Sequence, residues 1–125
     1  MLNGFKSSFI IANDGTRVNL VSEKSFEQIA YGVRPMVFAA AEAFRITGQQ
    51  KYADMAGHLA AWFMGNNDAN KAMYSLTTGR CYDAINSPGS VNINSGAEST
   101  IEALLAMERV ENYPDIRTAL NKYKP

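Results

Sequence analysis

Gln50-Lys51-Tyr52-Ala53-Asp54-Met55-Ala56-Gly57-His58-Leu59-Ala60-Ala61-Trp62-Phe63-Met64 is the stretch that decides how the rest of the chain is read. Tyr52, Met55, Ala56, Leu59, Trp62 and Phe63 recur at spacings of three and four, the pattern of a helix with one buried face over 50–64. Gly65 stops it. Upstream, Phe26, Ile29, Ala30, Val33, Val37 and Phe38 keep helical spacing, but Gly32 and Pro35 interrupt it. A helix is therefore predicted over 35–46, with Pro35 in its first turn, where no amide donor is needed. Only Gly48 and Gln49 separate the two helices, and so short a link forces them antiparallel.

The same grammar recurs downstream. Ala97, Ile101, Leu104, Leu105 and Met107 predict a helix over 96–109, opened by a Ser95–Glu98 capping box. Pro114 opens a last helix over 114–122. Tyr52-Ala53-Asp54-Met55 returns as Tyr113-Pro114-Asp115-Ile116, 61 residues later, which suggests two related helical hairpins. Residues 1–24 are read as an irregular N-terminal arm, with Asn13-Asp14-Gly15 as a turn that could equally close a small hairpin. Residues 65–95 hold three glycines, one proline and seven Asn or Asp before Ile93, a long polar loop of the kind that carries function. A short hairpin is expected inside it, around Leu76-Thr77-Thr78-Gly79. The expected fold class is all-α: one domain, 1–125, of antiparallel helical hairpins with a long polar loop.

Composition narrows the function classes. The chain has 125 residues, 46% hydrophobic and 19% charged, as an ordinary single domain does. Twelve basic and twelve acidic side chains cancel, which gives nucleic acid or an anionic membrane no electrostatic purchase. One cysteine makes no internal disulfide and one histidine anchors no His-based metal site. No apolar run approaches the ~20 residues of a membrane span. No signal-peptide pattern and no Asn-x-Ser/Thr acceptor is present, so a cytoplasmic location is expected. Neither Gly-x-Gly-x-x-Gly nor a phosphate-loop pattern occurs, and no cofactor or metal is expected.

Gln28-Ile29-Ala30-Tyr31-Gly32, Thr47-Gly48 with Tyr52, Trp62-Phe63-Met64-Gly65-Asn66-Asn67-Asp68, Gly79-Arg80-Cys81-Tyr82-Asp83 and Val91-Asn92-Ile93-Asn94-Ser95-Gly96-Ala97-Glu98-Ser99-Thr100 occur in that order. Together they resemble the C-terminal part of six-hairpin glycosidase-like proteins, the (α/α)6 toroids, over about residues 26–110. The resemblance implies an all-α partial toroid whose loops form a saccharide cleft. It also implies a ring completed by more helices than this chain holds, hence a homo-oligomer or a partner chain.

Glycosidic cleavage uses two carboxyl groups about the scissile bond. Asp83 and Glu98 are the expected pair: Glu98 would donate a proton to the leaving oxygen while Asp83 activates water. Glu98 read as a capping-box residue, or Asp83 read as a turn residue, needs no substrate at all. Asp68 fits helix termination. Tyr31, Tyr74, Arg80, Tyr82, Asn92 and Asn94 offer the ring faces and hydrogen-bonding groups that hold a sugar. Trp62 and Phe63 read as core, His58 as a structural histidine and Cys81 as an inert thiol. Glu102, Glu108, Arg109 and Glu111 read as a solvated helix face. The non-catalytic alternative is a sugar-binding or assembly module.

Overall fold

A computed structural model describes residues 6–125, so the first part of the expected N-terminal arm lies outside the described residues. The rest of that arm is not irregular. Strands β1 (Ser8–Asn13) and β2 (Val18–Lys24) form an antiparallel hairpin. Its turn is tied by short-range hydrogen bonds. Asn13 Oδ1 accepts from the Gly15 amide at 2.8 Å, and Gly15 takes a φ of +87° that suits glycine. Asp14 Oδ1 accepts from the Thr16 hydroxyl at 2.7 Å and from the Thr16 and Arg17 amides at 2.9 Å each. Those bonds, the Thr16 hydroxyl first, hold its carboxyl down at about 2.

The all-α expectation is overturned. The chain is mixed α/β, with four helices and two small antiparallel sheets among the described residues. The second sheet has the order β3-β4-β5, from Gln28–Ile29, Ala84–Ser87 and Ser90–Asn92. Gln28 pairs with Ile85 and Ile29 with Ala84, which stitches the entry of the first helix to the far end of the long loop. Strands of two to four residues are too short to show a period-2 pattern, so helical periodicity dominated the reading. The loop still had to satisfy its buried amides, and it does so by pairing.

Helix α1 (Ala30–Thr47) starts well before the expected 35–46. Pro35 sits inside it; the bond it forgoes would go to the Tyr31 carbonyl, on an exposed first turn within reach of water. Helix α2 (Gln50–Ala60) ends short of the expected Met64. The chain then tightens: Trp62, Phe63 and Met64 donate to the carbonyls three residues back. That extra winding turns both Trp62 and Phe63 fully inward. Gly48, at φ +64°, closes α1 and makes the two-residue link. Helices α3 (Ala97–Glu111) and α4 (Pro114–Tyr123) follow.

The two helical hairpins lie side by side, α1 on α3 and α2 on α4. Between α1 and α3, Arg34 pairs with Glu102, while Phe38 lies between the guanidinium groups of Arg34 (5.0 Å) and Arg109 (4.4 Å). Glu102 is thus a buried ion-pair partner rather than part of a solvated face. Between α2 and α4 the approach is close at Gly57, where an added Cβ would stand 2.5 Å from both Ala119 Cβ and the Leu120 amide nitrogen. His58 stacks on Tyr123 at 4.3 Å. The Tyr52/Tyr113 repeat is not in structural register: Tyr52 lies in the first turn of α2, whereas Tyr113 precedes α4 as its N-cap.

The core is dominated by small residues of the helices, with Trp62, Phe63, Met73 and Ile85 as its largest apolar members. Buried Gln28 accepts from Trp62 Nε1 at 3.0 Å and donates to Asp68. The hairpin β1–β2, by contrast, makes no extensive contact with any other element among the described residues, and Phe9, Ile10, Ile11, Val18, Leu20 and Val21 are all exposed.

Candidate functional site

Sequence placed the chemistry in 65–95 and at the start of the third helix, and the structure puts those residues at one end of the helical array. The helix termini explain why. The N-terminal residues of α1 (Ala30, Tyr31) and of α3 (Ala97, Glu98) line one cleft of about 320 Å³. Two helix N-termini bring positive partial charge there, and the cleft's acidic and basic side chains are all carboxylates: Glu27, Asp83 and Glu98. Tyr31, 56% exposed, and Asn92 complete the wall.

Asp83 has a structural duty. Its Oδ1 accepts from the Gly96 amide at 2.8 Å and from the Ser99 hydroxyl at 2.6 Å, so a residue from the loop holds the entry of α3 from outside. The expected Ser95–Glu98 capping box does not form. Gly96 is the N-cap, one residue later than expected, and Ser95 Oγ lies 3.5 Å from Thr100 Oγ1 instead. Glu98 is exposed in the first turn, where its charge suits the helix dipole and its oxygens are free of hydrogen bonds among the described residues.

A second cleft, of about 480 Å³, lies across residues 92–96 from the first. Tyr74, Ser75, Thr78, Arg80 and Tyr82 line it, with Ile93 and Ser95 on the shared wall. Asn92 and Gly96 face the first cleft and Ile93 and Ser95 the second, the alternation of an extended chain. The supporting turn is a short hairpin: Tyr74 bridges Cys81, the Ser75 amide donates to the Arg80 carbonyl at 2.9 Å, and the Tyr82 amide to that of Met73 at 2.8 Å.

Seven of the eight sequence-chosen residues thus line one cleft or the other, split in two groups: Tyr31, Asp83, Asn92 and Glu98 on one side, Tyr74, Arg80 and Tyr82 on the other. Asn94 lines neither. Its amide donates to Asn92 Oδ1 at 3.1 Å and its carbonyl accepts from the Asp83 amide at 2.9 Å, so the Asn-x-Asn unit shapes the wall. Sequence reasoning missed Glu27 and Ser99 as neighbours of Asp83. No local pattern could have revealed either: the β3–β4 pairing brings Glu27 to this cleft, and Ser99 reaches Asp83 across 16 residues of sequence.

The other candidates are structural. Asn67 donates to the Trp62 and Lys71 carbonyls at 2.7 and 2.8 Å and organises the turn after α2, while Asp68 takes the Gln28 amide. Cys81 is fully buried, and burial, then the nearby Asp83 charge, pushes its thiol up to about 12. Burial moves His58 below its ordinary value. Among the described residues no three His, Cys, Asp or Glu side chains converge as a metal site requires, and no helix is long and apolar enough to cross a membrane. Compared with known proteins, the chain matches no family model and no curated protein.

Proposed function

We propose that the chain recognises a saccharide at the paired clefts about residues 92–96. The observation that carries this reading is the arrangement itself: an exposed tyrosine ring and carboxylates on one side, two tyrosines and a guanidinium on the other, with residues 92–96 contributing to both. A sugar ring presents an apolar face and a polar rim, and these groups match both. Asp83 is already engaged by Gly96 and Ser99, which favours binding over cleavage and leaves Glu27 and Glu98 as the open carboxylates of the first cleft. The test is an amide-shift titration of the isotope-labelled chain with a panel of neutral and acidic oligosaccharides. Shifts at Tyr31, Tyr82, Asn92 and Glu98 support the reading; a spectrum unmoved across the panel refutes it.

The hydrolase reading rests on one observation, that Asp83 and Glu98 line the same cleft. It requires Glu98→Gln to abolish hydrolysis of a glycoside that the native chain turns over. The oligomer reading rests on the hairpin of residues 8–24, whose apolar side chains Phe9, Ile10, Ile11, Val18, Leu20 and Val21 are more than half exposed. Light scattering behind a sizing column tests it, and a monomer at high concentration refutes it. A reducing compartment such as the cytoplasm suits a chain with one cysteine, and a fusion reporter would locate it.

A further inference from the structure

The two clefts differ in charge. The first carries three carboxylates and no base, whereas the second carries Arg80 and no acid. Of the five arginines beyond the N-terminal hairpin, Arg34, Arg45, Arg109 and Arg117 each hold a carboxylate. Arg80 has neither an ion-pair nor a hydrogen-bond partner for its guanidinium among the described residues, although it stands in the larger cleft. The same cleft is lined by Tyr74, Tyr82, Ser75, Thr78 and Ser95, all of which carry a phenol or a hydroxyl. A guanidinium presents a planar fork of donors that matches a carboxylate with two parallel hydrogen bonds, and hydroxyls add donors without repelling an anion.

Resting on the saccharide reading, we propose that the second cleft receives the acid group of a charged sugar, a uronate carboxylate above all, with Arg80 as its specificity-determining partner. The neutral face of such a ring would lie on Tyr74 or Tyr82. The wall of residues 92–96 would pass the chain of sugars towards the first cleft, whose carboxylates accept hydroxyl donors but repel a second acid group. The site thus selects by placement: acid on the Arg80 side, neutral hydroxyls on the Glu98 side.

The test is calorimetric titration of the native chain and of Arg80→Gln and Arg80→Lys with uronic-acid trisaccharides, with the same trisaccharides reduced at the carboxyl group, and with inorganic sulfate. The native chain should bind the acidic form at least about tenfold more tightly than its reduced counterpart, the ratio expected of one charge-assisted pair. Arg80→Gln should bring the ratio to near one, and Arg80→Lys should keep part of it. Arg80 is exposed and its side chain has no partner among the described residues, so both variants should keep the native circular dichroism. Equal binding of acidic and reduced forms overturns the assignment of Arg80 and leaves the saccharide reading intact. Binding of neither form overturns both. Sulfate binding as tight as the acidic trisaccharide overturns the sugar specificity and leaves a plain anion site.

Discussion

Gly57→Ala sets two physical rules against each other. By helix propensity alone the change should stabilise α2 by about 1 kcal/mol, since alanine is the best helix former and glycine among the poorest. Packing opposes it. The new methyl group would stand 2.5 Å from Ala119 Cβ, 2.5 Å from the Leu120 amide nitrogen and 2.7 Å from the Ala119 carbonyl carbon. Two of those neighbours are backbone, so no rotamer change relieves the overlap; α2 and α4 must move apart by about an ångström to restore a normal separation near 3.5–4 Å. Overpacking of this kind costs roughly 1–3 kcal/mol, and the rigid neighbours put Gly57 at the upper end. After the propensity gain, a net loss of about 2 kcal/mol remains, or roughly 6–12 °C in melting temperature for a domain of this size. The assay is thermal and urea unfolding followed by far-ultraviolet circular dichroism. Gly32→Ala is the control: it also lies in a helix, but its Cβ would meet only Ile29 Cγ1 at 4.0 Å, so it should hold or raise the midpoint. A Gly57→Ala chain as stable as the native one would refute the close crossing of α2 and α4.

Asp83→Ala should cost about 1–2 kcal/mol, as loss of a helix cap does, and should speed amide exchange in the first turn of α3; unchanged exchange there would mean the carboxylate does not hold that turn. Cys81, with its thiol pushed up to about 12, should react with iodoacetamide at pH 8 about a thousandfold more slowly in the native chain than in urea, and equal rates would contradict its burial. His58 is harder to protonate in the folded chain than in the unfolded one, because burial disfavours its charged form. Below about pH 6.5 the unfolded chain therefore binds the proton more readily and stability falls with acidification; His58→Gln should flatten the change in urea midpoint between pH 7 and 5, and an unaltered slope would assign it elsewhere.

What the sequence made legible was what local spacing encodes. The two-residue link at Gly48-Gln49 specified the α1–α2 hairpin, and Pro114 marked the first residue of α4. The stretch 65–95 was recognisable as irregular and polar from its glycines and its Asn and Asp residues, but not as one whose Met73, Cys81 and Ile85 reach the core. What it hid was long-range. The partner of Gln28 in the sheet is Ile85, and nothing within a window of a dozen residues signals a two-residue strand whose register is set that far away. The capping box failed for the same reason: Ser95 and Glu98 have the right spacing, but Asp83 reaches the α3 entry from outside the window and displaces them. Nor does the sequence around Gly57 signal its close neighbours, which come from α4 some sixty residues on.

Asp83 also explains how two clefts of opposite charge stay apart. Its backbone amide donates to the Asn94 carbonyl at 2.9 Å while its side chain holds Gly96 and Ser99, so one residue grips the dividing wall both in its middle and at its end. The β4–β5 ladder anchors the other side of that wall, through Ala84 opposite Asn92. A wall fixed at both ends keeps Ile93 and Ser95 turned to the Arg80 side and Asn92 and Gly96 to the Glu98 side; a slip of one residue would exchange them. The carboxylate that sequence reasoning chose as a catalyst thus has a prior task, and a site built around it gains fixed geometry at the expense of one free oxygen.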